Sequence, residues 1–194
     1  MIKNIINEFR ISIIATVSFA LLLCGIYPAV VWLISQGMFY GKANGSLVSV
    51  KGHVVGSSLL TQRFDGPDYF HPRPSAAGDG YDAANSGGSN LGPTSQKLMD
   101  KVKECINAYR TENNLASGVL IPVDAVTASA SVLDPDISVG NALLQADRVA
   151  KSRGLTKKAL LELIYSHTEG RDLWILGEPR VNVLMLNLDL DERR

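Results

Sequence analysis

The residues able to do chemistry are thinly spread, and the densest group is Ser86-Gly87-Gly88-Ser89-Asn90-Leu91-Gly92, followed by Pro93. Glycine-rich backbone can turn its N–H groups toward an anion, and a helix opened by Pro93 would add its positive end. The same run also reads as a chain of tight turns entering a helix. No G-x-x-x-x-G-K-[ST] loop occurs, which argues against independent nucleotide hydrolysis of that type. His53, His71 and His167 lie far apart without ligand spacing, so no metal site is expected. His71 reads as a hydrogen-bonding loop residue rather than a base. No G-x-S-x-G elbow frames a nucleophile. Asp134-Pro135-Asp136 reads as a turn into a helix capped by Ser138, with a catalytic carboxylate pair as the weaker alternative. No catalytic residue is assigned.

The first element that must position anything is a helix. Ile11 to Ser35 contains no Asp, Glu, Lys, Arg or His and is rich in Ile, Leu, Val, Ala and Phe. At about 1.5 Å per residue this run reaches ~37 Å, enough to cross a hydrocarbon core of ~30 Å. A core helix rarely needs so long an apolar stretch, and a cleaved signal has a shorter one with a small-x-small site, which is missing from Gln36-Gly37-Met38-Phe39-Tyr40. The expectation is a short cytoplasmic N-terminus (1–10), a transmembrane helix (11–35) and one domain (36–194). Ser12, Thr16, Ala20 and Cys24 recur every four residues, and such small residues let a second helix approach closely. Pro28 predicts a kink or loosening near Gly25. A lone span without an ionisable residue is not itself an ion pathway or proton relay.

The rest reads as mixed helix and strand without regular βαβ repeats, hence α+β. Leu47–Val50 and Val54–Leu60 read as strands around Lys51-Gly52-His53. Asp65 to Pro93 has many Gly and Pro residues and no periodicity, but its aromatics and scattered charges point to an ordered, functional loop. Pro93 is expected at the first position of an amphipathic helix running to about Asn113. Val119–Val126 reads as a strand or extended segment interrupted by Pro122. Ser138 caps a helix through Arg153 that Gly154 stops, and Thr156 caps another ending near Gly170. Val181–Leu190, with Leu184, Leu186, Leu188 and Leu190 alternating, reads as a strand with one apolar face.

Charge narrows the partners. Taking Lys3, Arg10 and Glu8 from 19 basic and 19 acidic residues leaves 17 against 18 after residue 35. That balance gives no footprint for nucleic acid and no basic block for anionic lipid. Two cysteines make no disulfide framework, and Cys24 at membrane depth is not expected to bridge Cys105. Lys3 and Arg10 before the span mildly favour a cytoplasmic N-terminus.

Read along its length, the chain resembles the C subunit of the bacterial Kdp potassium-transporting P-type ATPase. The resemblance is carried by Gly56-Ser57, Gln62-x-Phe64, Tyr69-Phe70-His71-Pro72-Arg73-Pro74-Ser75-Ala76-Ala77-Gly78, Gly80-Tyr81-Asp82-Ala83 and the Ser86–Ser95 run. It continues in Pro122-x-Asp124, Val126-Thr127-Ala128-Ser129, Leu133-Asp134-Pro135, Gln145-x-x-Arg148, Arg153-Gly154, Thr168-Glu169-Gly170-Arg171 and Leu176–Leu184. It implies a non-catalytic accessory subunit in a bacterial cell membrane, with a periplasmic or extracytoplasmic domain. The implied partners are an ATP-hydrolysing subunit and a channel-like potassium-translocating subunit, besides membrane lipid. The implied role is assembly, and raising the ATP affinity of the hydrolysing subunit as a catalytic chaperone. ATP would then be met only in the complex, and Ser86, Gly87 and Gly88 are the nucleotide-related candidates. An extracytoplasmic domain conflicts with direct contact to cytosolic ATP. Where the family commonly reads Gly-Ser-Gly-Leu-Asp-Pro-His, this chain has Ala130-Ser131-Val132-Leu133-Asp134-Pro135-Asp136, which puts histidine chemistry there in doubt. The alternative is a membrane-anchored extracytoplasmic enzyme or ligand-binding domain using the 65–93 loop.

Overall fold

The computed structural model describes residues 2–193; Met1 and Arg194, the outermost residues of the two expected terminal segments, lie outside it. The chain divides into two compact units, one up to Leu47 and one from Val48 onward.

The first unit is one long apolar helix. Helix α1 (Ile2–Ala20) passes through a wider π-helical turn (Leu21–Ile26) into α2 (Tyr27–Met38). The wide turn falls at Gly25, where Pro28 predicts a disturbance: proline has no N–H, so the carbonyl four residues earlier loses its α-helical donor. Tyr27 instead donates to the carbonyl of Leu22. Asn4–Met38 is long and apolar enough to span a bilayer. The helix thus runs past both ends of the uncharged 11–35 stretch. A one-turn helix α3 (Tyr40–Ala43) follows, and the Asn44 side chain donates to Gln36 Oε1 and the Tyr40 carbonyl.

Strands β1 (Leu47–Val50) and β2 (His53–Ser57) form a two-stranded sheet. Lys51 and Gly52 between them have φ of 51° and 82°, the paired positive values of a two-residue hairpin turn. Residues 65–93 contain no helix or strand. Helix α4 spans Gln96–Glu112 with Ser95 as its N-cap. The expected start at Pro93 is therefore corrected: Ser95 N–H donates to the Gly92 carbonyl, so Pro93 occupies the second position of a β-turn, which suits its fixed φ equally well.

Of the strand or extended segment expected at 119–126, no strand forms. Val123–Ala125 is a 3₁₀ turn after Pro122, which cannot donate to a ladder. Strand β3 (Asp136–Ser138) leads into α5 (Val139–Arg153), capped by Ser138 Oγ accepting from Asn141 N–H and ended by Gly154 at φ 68°. Thr156 caps α6 (Lys157–Ser166), which stops before Gly170 because Thr168 and Glu169 form β4. Strand β5 (Arg180–Asn182) lies between β3 and β4 in an antiparallel sheet, with Val181 opposite both Ile137 and Thr168.

The C-terminal stretch expected as a strand is helix α7 (Val183–Glu192). Asn182 caps it, and Val183, Leu186, Asn187 and Leu190 occur at i, i+3, i+4 and i+7, so one helical face is buried. The core gathers Phe70 with Ile137, Val149, Leu160, Leu163, Ile164, Val181, Leu186 and Leu190. Mixed helix and sheet behind one apolar helix is the α+β architecture expected.

Candidate functional site

Asp65–Pro93 has no backbone ladder, so its polar groups need partners elsewhere. Side chains supply them. On α5, Gln145 Oε1 accepts from the His71 N–H, and its amide donates to the His71 carbonyl and to Asn141 Oδ1. With Arg148 Nη2 donating to the same Oε1 at 2.8 Å, every Gln145 group is engaged. Asn187 on α7 pairs in the same two-way fashion with Phe70, accepting from its N–H and donating to its carbonyl, both at 2.9 Å. Arg148 Nη1 donates to the carbonyls of Pro67 and Tyr69, and Arg153 Nε to that of Asp68. The Arg153 guanidinium also lies 4.7 Å from the Tyr69 ring centroid.

Beneath the loop lies a polar chain. Tyr109 O–H donates to Asn141 Oδ1, the Asn141 amide donates to Asp124 Oδ2, and Asp124 accepts from both the N–H and the hydroxyl of Ser138. Burial first, then the Asp124 carboxylate, pushes the Tyr109 hydroxyl pKa up. His71 stands between two acceptors: Nδ1 is 2.6 Å from Glu112 Oε1, and Nε2 is 2.9 Å from the Gly66 carbonyl. The ring satisfies both only when each nitrogen carries a hydrogen. The hydrogen bond from His71 holds Glu112 below the usual carboxylate range, with the Arg148 charge 3.6 Å away adding to it. Burial pulls Arg148 down from the ordinary guanidinium value.

The loop's second half closes against residues 128–135. Ser75 Oγ donates to the Val132 carbonyl at 2.6 Å and accepts from the Ala77 and Tyr81 N–H groups. Arg73 pairs with Asp134 at 2.9 Å. Ser86 Oγ donates to the Ser131 carbonyl and sits in an open groove of about 760 Å³ with Arg73, Leu60, Ser131 and Asp134. Gly87 is exposed, and neither it nor Gly88 has a left-handed φ. A side-chain carbon at Gly88 would meet the Ala130 carbonyl at 3.5 Å. Since α4 begins only at Gln96, these glycines do not open it. Asp134 and Asp136 line one groove, where Asp134 Oδ1 accepts from the Asp136 N–H, Asp134 pairs with Arg73 and Asp136 with Arg180. Burial, then Asp134, raises the Asp136 pKa.

Ser12, Thr16 and Ala20 lie on α1 and Cys24 in the π turn, all exposed on the first unit. A four-residue step on an α-helix overshoots one turn by about 40°, so Ser12, Thr16 and Ala20 wind slowly round α1. The three histidines are not brought together, and among the described residues no group of His, Cys, Asp or Glu is placed to hold a metal ion.

Sequence reasoning missed the clamp residues Asn141, Gln145, Arg148 and Asn187. The signal was a polar stripe at four- and three-residue spacing beside the apolar one on α5.

Residues 9–192 match the family model described as KdpC: K+-transporting ATPase, c chain. A potassium-transporting ATPase KdpC subunit of Koribacter versatilis is 51% identical over 191 residues, covering 98% of this chain and 95% of that protein. The subunit of that name from Mycobacterium bovis is 55% identical over 166 residues, covering 86% and 88%, and that of Rhodospirillum rubrum 54% identical over 173 residues, covering 89% of each. With a match that takes in both the apolar helix and the clamped domain, the chain belongs to the KdpC family, the c chain of K+-transporting ATPases.

Proposed function

We propose that this chain is a non-catalytic accessory subunit of a high-affinity, ATP-driven potassium uptake pump, needed to assemble an ATP-hydrolysing subunit with a channel-like potassium-translocating subunit. The observation that supports this reading is family membership across residues 9–192. The apolar helix is a single pass through the bacterial cell membrane, with the N-terminus in the cytoplasm and the domain outside it. Ser12, Thr16, Ala20 and Cys24 form the face on which a neighbouring subunit's helix packs.

The chain raises the ATP affinity of the hydrolysing subunit. With the domain outside the cytoplasm, this effect travels through subunit contacts, and direct contact by Ser86, Gly87 and Gly88 is the competing version. Removing the chain should abolish growth at very low potassium and raise the ATP concentration needed for half-maximal hydrolysis by the remaining pump. Normal growth with unchanged ATP dependence would overturn the proposal. Ser86→Ala within the assembled pump separates the two routes, since only direct contact makes its ATP dependence move.

A second reading, ligand binding by the loop, is favoured by the groove that Arg73, Ser86 and Asp134 line. It requires the chain without partners to bind or turn over a small molecule.

A further inference from the structure

Between β4 and β5 the chain makes a hairpin whose tip is Leu173-Trp174-Ile175-Leu176. These four apolar residues are 78%, 93%, 74% and 55% exposed. Leu173 and Trp174 have φ of 51° and 70°, a region where Gly or Asn is at ease and bulky residues are strained. The strain is held in place. Asp172 and Leu176 exchange two backbone hydrogen bonds at 2.9 Å, and Arg171 Nη2 reaches both oxygens of Glu178 at 2.8 Å across the base. A tip of consecutive exposed apolar side chains, fixed in a conformation that costs energy to maintain, is suited to contact rather than to water.

We propose that this tip is the anchor by which the domain docks into an apolar cleft on another protein subunit of the pump. The inference rests on the accessory-subunit reading above. A rigid tryptophan at the centre of a small apolar knob is the side chain that dominates such contacts. Two further apolar residues are open to solvent: Leu120 is 91% and Val123 72% exposed. Asp124, the chain neighbour of Val123, lines a groove of about 250 Å³ together with Glu178, Pro179 and Arg180 of the hairpin base.

The charges around the base favour protein over lipid. Glu169, Asp172 and Glu178 outnumber Arg171 and Arg180. Both arginines are already engaged, Arg171 with Glu178 and Arg180 with Glu169 at 2.9 Å. An anionic leaflet would meet excess carboxylate there, whereas insertion into such a surface is helped by cations around the apolar residues. The complementary cleft has an apolar floor, a neutral or weakly basic rim, and an acceptor for the Trp174 indole N–H.

Trp174→Gly tests this in the full chain expressed with the rest of its pump. The change removes the ring and relieves the left-handed strain, so folding should not suffer. The expected result is a melting temperature equal to or above wild type and at least a tenfold loss of pump subunits recovered with the tagged chain. Met99→Ser, a change at another exposed apolar residue, should recover them as wild type does. Full recovery with Trp174→Gly overturns the hairpin proposal alone. A wild-type chain that recovers no pump subunit overturns the accessory reading and this proposal with it. Tryptophan fluorescence in a Trp32→Phe background adds the lipid arm, using nanodiscs of phosphatidylcholine and phosphatidylglycerol with brominated acyl chains. Quenching of Trp174 in the chain alone would assign the tip to the bilayer and overturn docking into protein. A blue shift that requires the other subunits supports it. Self-association of the chain alone that Trp174→Gly abolishes would assign the tip to a second copy and overturn the proposal.

Discussion

Gln145 and His71 are joined reciprocally across 74 residues of sequence: the His71 N–H donates to Gln145 Oε1 at 2.7 Å, and the Gln145 amide donates back to the His71 carbonyl at 3.0 Å. One glutamine side chain thus plays the part of a neighbouring strand for a loop that has none. Together with Asn187 at Phe70 it fixes two consecutive loop residues onto two different helices.

Replacing Gln145 by Leu keeps the apolar volume but strands a backbone N–H, a carbonyl and part of the Arg148 guanidinium. Each buried polar group left without a partner costs about 1–3 kcal/mol. Gln145→Leu is therefore expected to lower unfolding free energy by more than about 2 kcal/mol. Urea unfolding of the full chain in detergent measures it, and a loss below about 0.5 kcal/mol would mean the loop is held by its other contacts.

Glu112 gives the clamp a pH dependence of definite sign. Its pKa in the folded chain lies below the ordinary 4.5, first because His71 hydrogen-bonds to it. Its stabilising contribution is present above the unfolded value and is lost as the pH falls through the lower folded value. The stability difference between wild type and Glu112→Gln should therefore be full near about pH 6 and shrink steadily toward about pH 3. A difference independent of pH across that window would remove His71 as the cause.

Helix α7 allows its two competing periods to be told apart. Leu186 is fully buried, whereas its neighbour Met185 is 39% exposed. Leu186→Ala should cost about 2–5 kcal/mol, and Met185→Ala less than about 1 kcal/mol. Amide exchange adds a second reading, since a helix protects the successive Asn187, Leu188 and Asp189 N–H groups alike whereas an edge strand would protect alternate ones.

Ala20 tests the membrane face. Ala20→Phe places a ring where a second helix would approach, while leaving the span as apolar as before. Insertion should be unchanged and recovery of pump subunits should fall severalfold. Unchanged recovery would make the helix a tether only.

Features set by neighbouring residues were legible in the sequence. Ser138 and Gly154 mark both ends of α5 because caps act on the next few residues. The β1–β2 hairpin and the π turn before Pro28 are local in the same sense. Helix α7 was misread because its leucines fill both patterns: alternation gives 184, 186, 188 and 190, while the helical face is 183, 186, 187 and 190, with a buried asparagine in it. Pro93 was misplaced because a turn and a helix start ask the same φ of it. The polar stripe on α5 marked the clamp side chains but not their partners, since Arg148 reaches loop carbonyls 79 and 81 residues away and Asn187 a residue 117 away. Trp174 passed unnoticed because nothing in Arg171-Asp172-Leu173-Trp174 announces that its ring faces solvent.

The distant partners of the 65–93 loop also set a timetable. A ribosome delivers Phe70 and His71 long before α5, and α5 before Asn187, the residue whose amide closes on Phe70 only when the chain is nearly complete. Contacts so far apart in sequence form late, after the local helices. The family-specific surface of the loop is then unfinished in any prematurely terminated product, even one lacking only the last helix. Such a product would still carry its long apolar helix but present an unlocked loop, so incomplete chains would be distinguishable from complete ones by that loop.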